Sequence, residues 1–233
     1  MRLRDIIFDL DGTLTDSLGL CYAAFRDVFA RHLNRSFTNE EVRAMFGPSE
    51  EGVLQRALPD RWQECLEEFL SFYQREHASY VQVFPGVHPL LDWLRGQEAR
   101  IGVVTGKGPR SAAITLRELG LDKYVDSLKP GSPNGGVKPE AIRQVLAGWG
   151  ASPEHVAYVG DVGADMRASI QAGTLPLGAG WAPGVNREAL AAAGALRVFT
   201  SPEELRRWLA EEDEDAPLAP WNGGRIWLTR CPF

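Results

Sequence analysis

Near the amino terminus, Phe8-Asp9-Leu10-Asp11-Gly12-Thr13-Leu14-Thr15-Asp16 sets two carboxylates two positions apart, directly after the apolar run Ile6-Ile7-Phe8. Side chains alternate along an extended chain, so residues at i and i+2 point the same way and Asp9 and Asp11 are aimed into one crevice. Gly12 then permits a tight departure of the backbone. Two close carboxylates repel unless a proton or a cation sits between them, and oxygen ligands of this kind suit Mg²⁺. Three further segments offer matching chemistry. Val104-Thr105-Gly106-Lys107 ends a second apolar run with a hydroxyl and a glycine whose backbone can approach an anion. Val137-Lys138-Pro139 puts a lysine at a helix start. Gly160-Asp161-Val162-Gly163-Ala164-Asp165 supplies two more acids, about one turn apart if a helix begins there. Taken singly these are common patterns, a D-x-D being usually a solvated turn and Lys138 an exposed helix start. Their order and placement give them weight.

The elements that must position them can be read from periodicity. Residues 4–10 form a short apolar run stopped by Asp11-Gly12-Thr13, which predicts a buried strand ending in a loop. From residue 17 to 33, Leu18, Cys21, Tyr22, Phe25, Val28 and Phe29 recur at intervals of three and four, marking one face of a helix. Residues 38–45 open with a Thr-x-x-Glu capping pattern, and residues 48–58 and 61–77 continue the helical series. No strand is expected from Ser17 until Arg100, so a helical insertion follows the first strand. Beyond it, strands at 101–104 and 156–159 alternate with helices at 111–119, 138–149 and 165–172, followed by β-prone segments near Leu175 and Val198 and a last helix from Pro202. Such alternation predicts an α/β fold, a parallel sheet sandwiched by helices, whose binding crevice lies at the carboxyl ends of the strands. Every candidate residue falls at a strand end or helix start of that one sheet.

The chain has 233 residues, roughly 1.6 times a typical domain of about 150. Its 31 acidic and 25 basic side chains give a net charge of −6. Glu211-Glu212-Asp213-Glu214-Asp215 contributes five of those charges, so the remainder is near neutral. No Lys/Arg run attracts nucleic acid or anionic lipid, and no stretch approaches the roughly 18 apolar residues of a membrane helix. Cys21, Cys65 and Cys231 lack metal-site or disulfide spacing, which fits a reducing cytoplasm. The tail, 213–233, combines the end of the acid run with prolines, glycines, Trp221 and Trp227.

Residues 5 to about 200 resemble the haloacid dehalogenase (HAD) superfamily of phosphotransferases. The D-x-D-G-T motif matches Asp9 to Thr13, with Phe8, Leu14 and Asp16 around it. The hydroxyl at the end of the next strand matches Thr105, the lysine before a helix matches Lys138, and the G-D-x-x-x-D motif matches Gly160 to Asp165. The resemblance implies a Rossmann-like core at 1–16 and 83–212, an inserted α-helical cap at 17–82, and a C-terminal tail. It also implies that Asp9 attacks phosphorus to give an aspartyl-phosphate and that Asp11 serves as general acid, then base. Mg²⁺ would be held by Asp9, the backbone carbonyl of Asp11 and Asp161, with Asp165 a water-mediated or outer partner. Thr105 and the Gly106 amide would bind phosphoryl oxygens, and Lys138 would neutralise charge there and on Asp9.

Asp11 favours phosphate esters over carbon–halogen bonds, since the dehalogenases of this superfamily lack it. Phe46-Gly47-Pro48-Ser49 and Gly180-Trp181-Ala182-Pro183-Gly184 are similar to the phosphoglycolate phosphatase and pyrophosphatase branch. A Mg²⁺-dependent phosphatase of a small phosphorylated metabolite is therefore expected, monomeric or homodimeric. The alternatives are a pyrophosphatase, a β-phosphoglucomutase-like phosphomutase, or a catalytically quiet binding protein of the same fold. A phosphonatase would want a cap lysine, and residues 17–81 contain none. Specificity is expected from a cap loop containing Phe46 and Gly47, with Arg43 and Arg56 nearby. Lys107 either meets the leaving group or lies exposed, and Glu50 and Glu51 are expected to be solvated acids of a helix first turn.

Overall fold

The computed structural model describes residue 3 and residues 5–212. Six parallel strands form one sheet in the order β5-β4-β1-β6-β7-β8: β1 Asp5–Phe8, β4 Arg100–Val104, β5 Ser127–Lys129, β6 Val156–Gly160, β7 Leu175–Ala179 and β8 Arg197–Phe199. Both faces are covered, so the strands read as continuous apolar runs rather than alternating ones. Alternate residues of β1 enter different cores. Ile6 and Phe8 pack with Ile101, Val103, Ala157 and Val159 on one face, whereas Ile7 packs with Val104, Val156 and Tyr158 on the other. The first core is closed by α5 (Val87–Gly96), α6 (Pro109–Glu118) and α10 (Pro202–Glu212); the second is closed by α7 (Lys138–Trp149) and α8 (Gly163–Ala172).

Between β1 and β4 the chain builds α1 (Leu18–Leu33), α2 (Asn39–Arg43), α3 (Glu50–Ala57) and α4 (Trp62–Tyr80) around a third core of Phe25, Phe29, Leu54, Phe69 and Tyr73. This is the helical cap. Local signals set its helix ends: Thr38 and Glu41 exchange the two bonds of a capping box, and Asn34 adopts the left-handed conformation after α1.

Some elements depart from the pattern in the sequence. A two-stranded antiparallel ribbon pairs β2 (Thr15–Asp16) with β3 (Gln82–Val83); β3 falls within the interval from Ser17 to Arg100 in which no strand is expected, and α5 follows it. Two residues per strand carry no periodicity, so only the pairing reveals them. β5 and the six-residue α9 (Arg187–Ala192) were likewise too short to register. The acid run beyond Glu212 and the Trp-containing tail lie outside the described residues. Among the described residues, no helix is long and apolar enough to cross a membrane.

Candidate active site

Parallel register brings the chemistry together. Phe8 pairs with Val103 on one side and Val159 on the other, so Asp9, Thr105 and Asp161 leave neighbouring strand ends. The Asp9 amide extends the ladder by donating to the Val159 carbonyl at 2.9 Å, and the Thr105 amide donates to Lys129 at 3.1 Å. After Asp9 the chain folds tightly: the Leu10 carbonyl accepts from the amides of Thr13, Leu14 and Thr15. Gly12 sits at φ +83°, and a Cβ there would overlap the Asp161 carboxylate, so glycine is required both for the turn and for the approach. Thr13 Oγ1 donates to Asp161 Oδ1 at 3.2 Å, and Trp181 Nε1 donates to the Thr13 carbonyl at 2.9 Å. Trp181 thus buttresses the D-x-D loop from 168 positions away, a contact not anticipated from sequence.

Lys138, half-buried at the start of α7, lies 3.0 Å from Asp9 Oδ2 and also pairs with Asp165 Oδ1. Asp165 is fully buried; its second oxygen accepts from the Val162 amide at 3.3 Å. A Cβ at Gly160 would run into the Asp165 side chain, so that glycine makes room for the acid. Tyr158, donating to the Val104 carbonyl at 3.1 Å, walls the cluster from below, a contribution not anticipated from sequence. Asp9 Oδ1 is buried without a hydrogen-bond partner.

Asp9, Asp161 and Asp165 each bring one oxygen within 4.8 Å of the others. Burial pushes the Asp9 carboxyl up to about 8 despite the pull of Lys138, with Asp165, Asp161 and Asp11 adding to the rise. Burial followed by the charge of Asp165 takes Asp161 up to about 6. The single ammonium of Lys138 does not balance this many acids. The donor set, all carboxylate oxygens with one unpartnered, fits a hard divalent cation. The Asp11 carboxylate stands apart from it, accepting from Ser17 Oγ and lying 3.2 Å from Lys107 Nζ through the same oxygen, Oδ1.

On the cap side of the site, one of the two alternatives for Lys107 is excluded and Glu50 differs from expectation. Lys107 is not exposed: it is 4% accessible, wedged between core and cap. Glu50 is not a solvated first-turn acid either. It is 6% accessible, accepting from the Gly108 amide and from Ser111 Oγ at 2.6 Å, so its carboxylate clasps the start of core helix α6. Helix-period reasoning placed Glu50 correctly at the start of α3 but could not show that another helix lay opposite. Glu50→Ala leaves the Gly108 amide buried and unpaired and Ser111 Oγ with only its 3.2 Å bond to the Gly108 carbonyl, an expected cost of about 1–3 kcal/mol. Thermal unfolding should register it as a fall of several degrees, at about 2–4 °C per kcal/mol for a domain this size.

Other contacts seat the cap loop. The Ser49 amide donates to the Ser132 carbonyl at 2.9 Å, and Gly135 lies against the Gly47 carbonyl. Gly131 in turn packs so closely on the Gly106 carbonyl that a Cβ would overlap it. Gly106 itself is exposed, and Thr105, whose hydroxyl accepts from the Lys107 amide at 3.2 Å, is buried. Phe46 is exposed on the cap, its ring stacking on Tyr22 at 5.6 Å and edging, with Arg56, a cavity of about 290 Å³ between the α2–α3 connection and α3. Arg43 is exposed.

Comparison with known proteins agrees with this architecture. A pyrophosphatase PpaX from Oceanobacillus iheyensis is 30% identical over 181 residues, covering 73% of this chain and 82% of the relative. A structure named for β-phosphoglucomutase from Thermotoga maritima superposes with a TM-score of 0.69 at 28% identity, covering 89% of this chain and 99% of the other. A predicted phosphoglycolate phosphatase from Haemophilus somnus has the same fold, with a TM-score of 0.76 at 21% identity over 89% of this chain and 98% of the other. The sequence profile of the haloacid dehalogenase-like hydrolases matches residues 6–178. Over three quarters of its described length, then, from the D-x-D loop to the strand beyond the last acid pair, the chain belongs to the haloacid dehalogenase-like hydrolase family.

Proposed function

We propose that this hydrolase is a cytoplasmic, Mg²⁺-dependent phosphatase that cleaves a small phosphomonoester through an aspartyl-phosphate. The observation that carries the proposal is the buried, unpartnered Oδ1 of Asp9, set among acids and one lysine at adjacent strand ends. One carboxylate oxygen of Asp9 attacks phosphorus and forms an O–P bond as the ester O–P bond breaks; Asp11 gives its proton to the departing oxygen. Water then attacks the aspartyl-phosphate phosphorus, Asp11 takes its proton, and inorganic phosphate leaves with Asp9 restored. Lys138 holds Asp9 in place and offsets charge beside it, and Thr105 with the Gly106 amide binds the phosphoryl oxygens. Asp9, Asp161 and the Asp11 carbonyl would hold Mg²⁺, with Asp165 behind them; when bound, the ion offsets the repulsion between an anionic nucleophile and an anionic phosphate.

The proposal includes the division into core (1–16 and 83–212) and cap (17–82). The β2–β3 ribbon supports it, because pairing of Asp16 with Gln82 sets the chain's two crossings side by side. Pyrophosphate is the second reading, favoured by the name of the 30%-identical relative. A panel of phosphoglycolate, pyrophosphate, glucose 1-phosphate, other sugar phosphates and nucleoside monophosphates, assayed with Mg²⁺ for free phosphate, separates the readings. The phosphomonoester assignment expects its highest kcat/KM among the monoesters. Preference for pyrophosphate overturns it, as does conversion of glucose 1-phosphate without phosphate release.

A further inference from the structure

Lys107 plays no part in the chemistry just described, yet it is one of the least accessible charged residues of the protein. Its ammonium lies at the seam of core and cap. Asp11 Oδ1 is 3.2 Å away, Cys21 Sγ of α1 is 3.0 Å away, and the Tyr73 ring of α4 lies 4.7 Å below the charge. Tyr73 is itself fixed, its hydroxyl 2.9 Å from Thr115 Oγ1 of α6. Glu50 contributes negative potential from α3 but spends its oxygens on Gly108 and Ser111.

A buried ammonium is costly unless paired and hydrogen-bonded. A thiol and a ring face compensate weakly; Asp11 is the carboxylate within contact. With a side chain 1% accessible, Lys107 does not reach out to a substrate. The ammonium and the Ser17 hydroxyl both engage Oδ1, and Oδ2 takes no hydrogen bond from the described residues. Cys21 and Tyr73 belong to the cap, so the pocket that confines Lys107 exists only with α1 and α4 seated on the core.

We infer that Lys107 is a positioning residue: with Ser17 it fixes Asp11 by Oδ1, leaves Oδ2 for the leaving-group oxygen, and does so with the helical cap closed. This rests on the reading of Asp11 as proton donor under the proposed function. It makes proton delivery conditional on cap closure, so that a poor leaving group departs only from a site shut against water.

The test compares phenyl phosphate, whose leaving group needs protonation, with p-nitrophenyl phosphate, whose leaving group needs little. General acid catalysis is typically worth 10²–10⁴-fold, so in Lys107→Met kcat/KM for phenyl phosphate should fall by about 30-fold or more, and that for p-nitrophenyl phosphate by less than about threefold. KM should change little, because the lost interaction belongs to the transition state. Ser17→Ala should show the same leaving-group signature. A merely structural role lowers both substrates alike; equal falls, or no fall, overturn the inference. Should Lys107→Met not fold, Lys107→Gln carries the same comparison. Native protein inert toward both esters, or an Asp9→Asn variant that still turns them over, would overturn the proposed function itself without any change at Lys107.

Discussion

Asp9→Asn should lower Mg²⁺-dependent phosphate release from p-nitrophenyl phosphate by at least about 10⁴-fold, the scale on which a covalent nucleophile is missed. The amide matches the carboxylate in shape but is too weak a nucleophile to attack phosphorus. Nothing else replaces it. Asp161 contacts the Thr13 hydroxyl, Asp165 is fully buried behind Lys138, and Asp11 is held by Ser17 and Lys107. The variant should remain folded, because an uncharged side chain relieves the crowding of acids that pushes Asp9 up to about 8. A thermal unfolding midpoint at least equal to that of native protein in cation-free buffer checks this. Unchanged activity in the variant would refute the aspartyl-phosphate mechanism.

The core of this site was legible because each of its groups obeys a local rule. Asp9 follows an apolar strand, Gly12 occupies a conformation only glycine takes readily, and Lys138 and Asp165 sit in helix first turns. A parallel sheet then gathers strand ends whatever the sequence distance between them, so 148 positions between Thr13 and Asp161 were no obstacle. What stayed hidden depends on two elements meeting with no local signature. Glu50 in a first turn looks like any macrodipole-favoured acid until α6 is placed opposite. Lys107 reads equally as an exposed loop lysine or a leaving-group contact until Cys21 and Tyr73 arrive from the cap. Phe46 stands out in sequence only as part of the Phe-Gly-Pro-Ser loop, and its ring contacts with Tyr22 and Phe25 appear only once α1 is placed beside it. Cap–core contacts are pairings between separate amphipathic surfaces, and the periodicity of either partner does not state which face meets which.

The acid cluster should make both turnover and stability depend on a divalent cation. In cation-free protein, Asp9 titrates near 8 and Asp161 near 6, each above the usual 3.8 of an aspartate in the unfolded chain. Between these limits the folded state holds protons that the unfolded state has released, so stability falls as pH rises from about 4 to about 8. A cation bound only by the folded state reverses the trend. At a Mg²⁺ concentration 100 times its Kd the gain is about 2.7 kcal/mol, or roughly 5–11 °C in unfolding midpoint for a domain of this size. Thermal unfolding across pH 5–8, with chelator and with Mg²⁺, reads both effects without reference to activity. Chelation should abolish phosphate release over the same range. Asp161→Asn should remove most of the Mg²⁺-induced shift while raising the cation-free midpoint at pH 8, because it deletes a ligand and a repulsive charge together. A midpoint that ignores Mg²⁺ in native protein would mean that Lys138 and bound protons alone balance the acids, and the cation would then have to be carried in with the substrate.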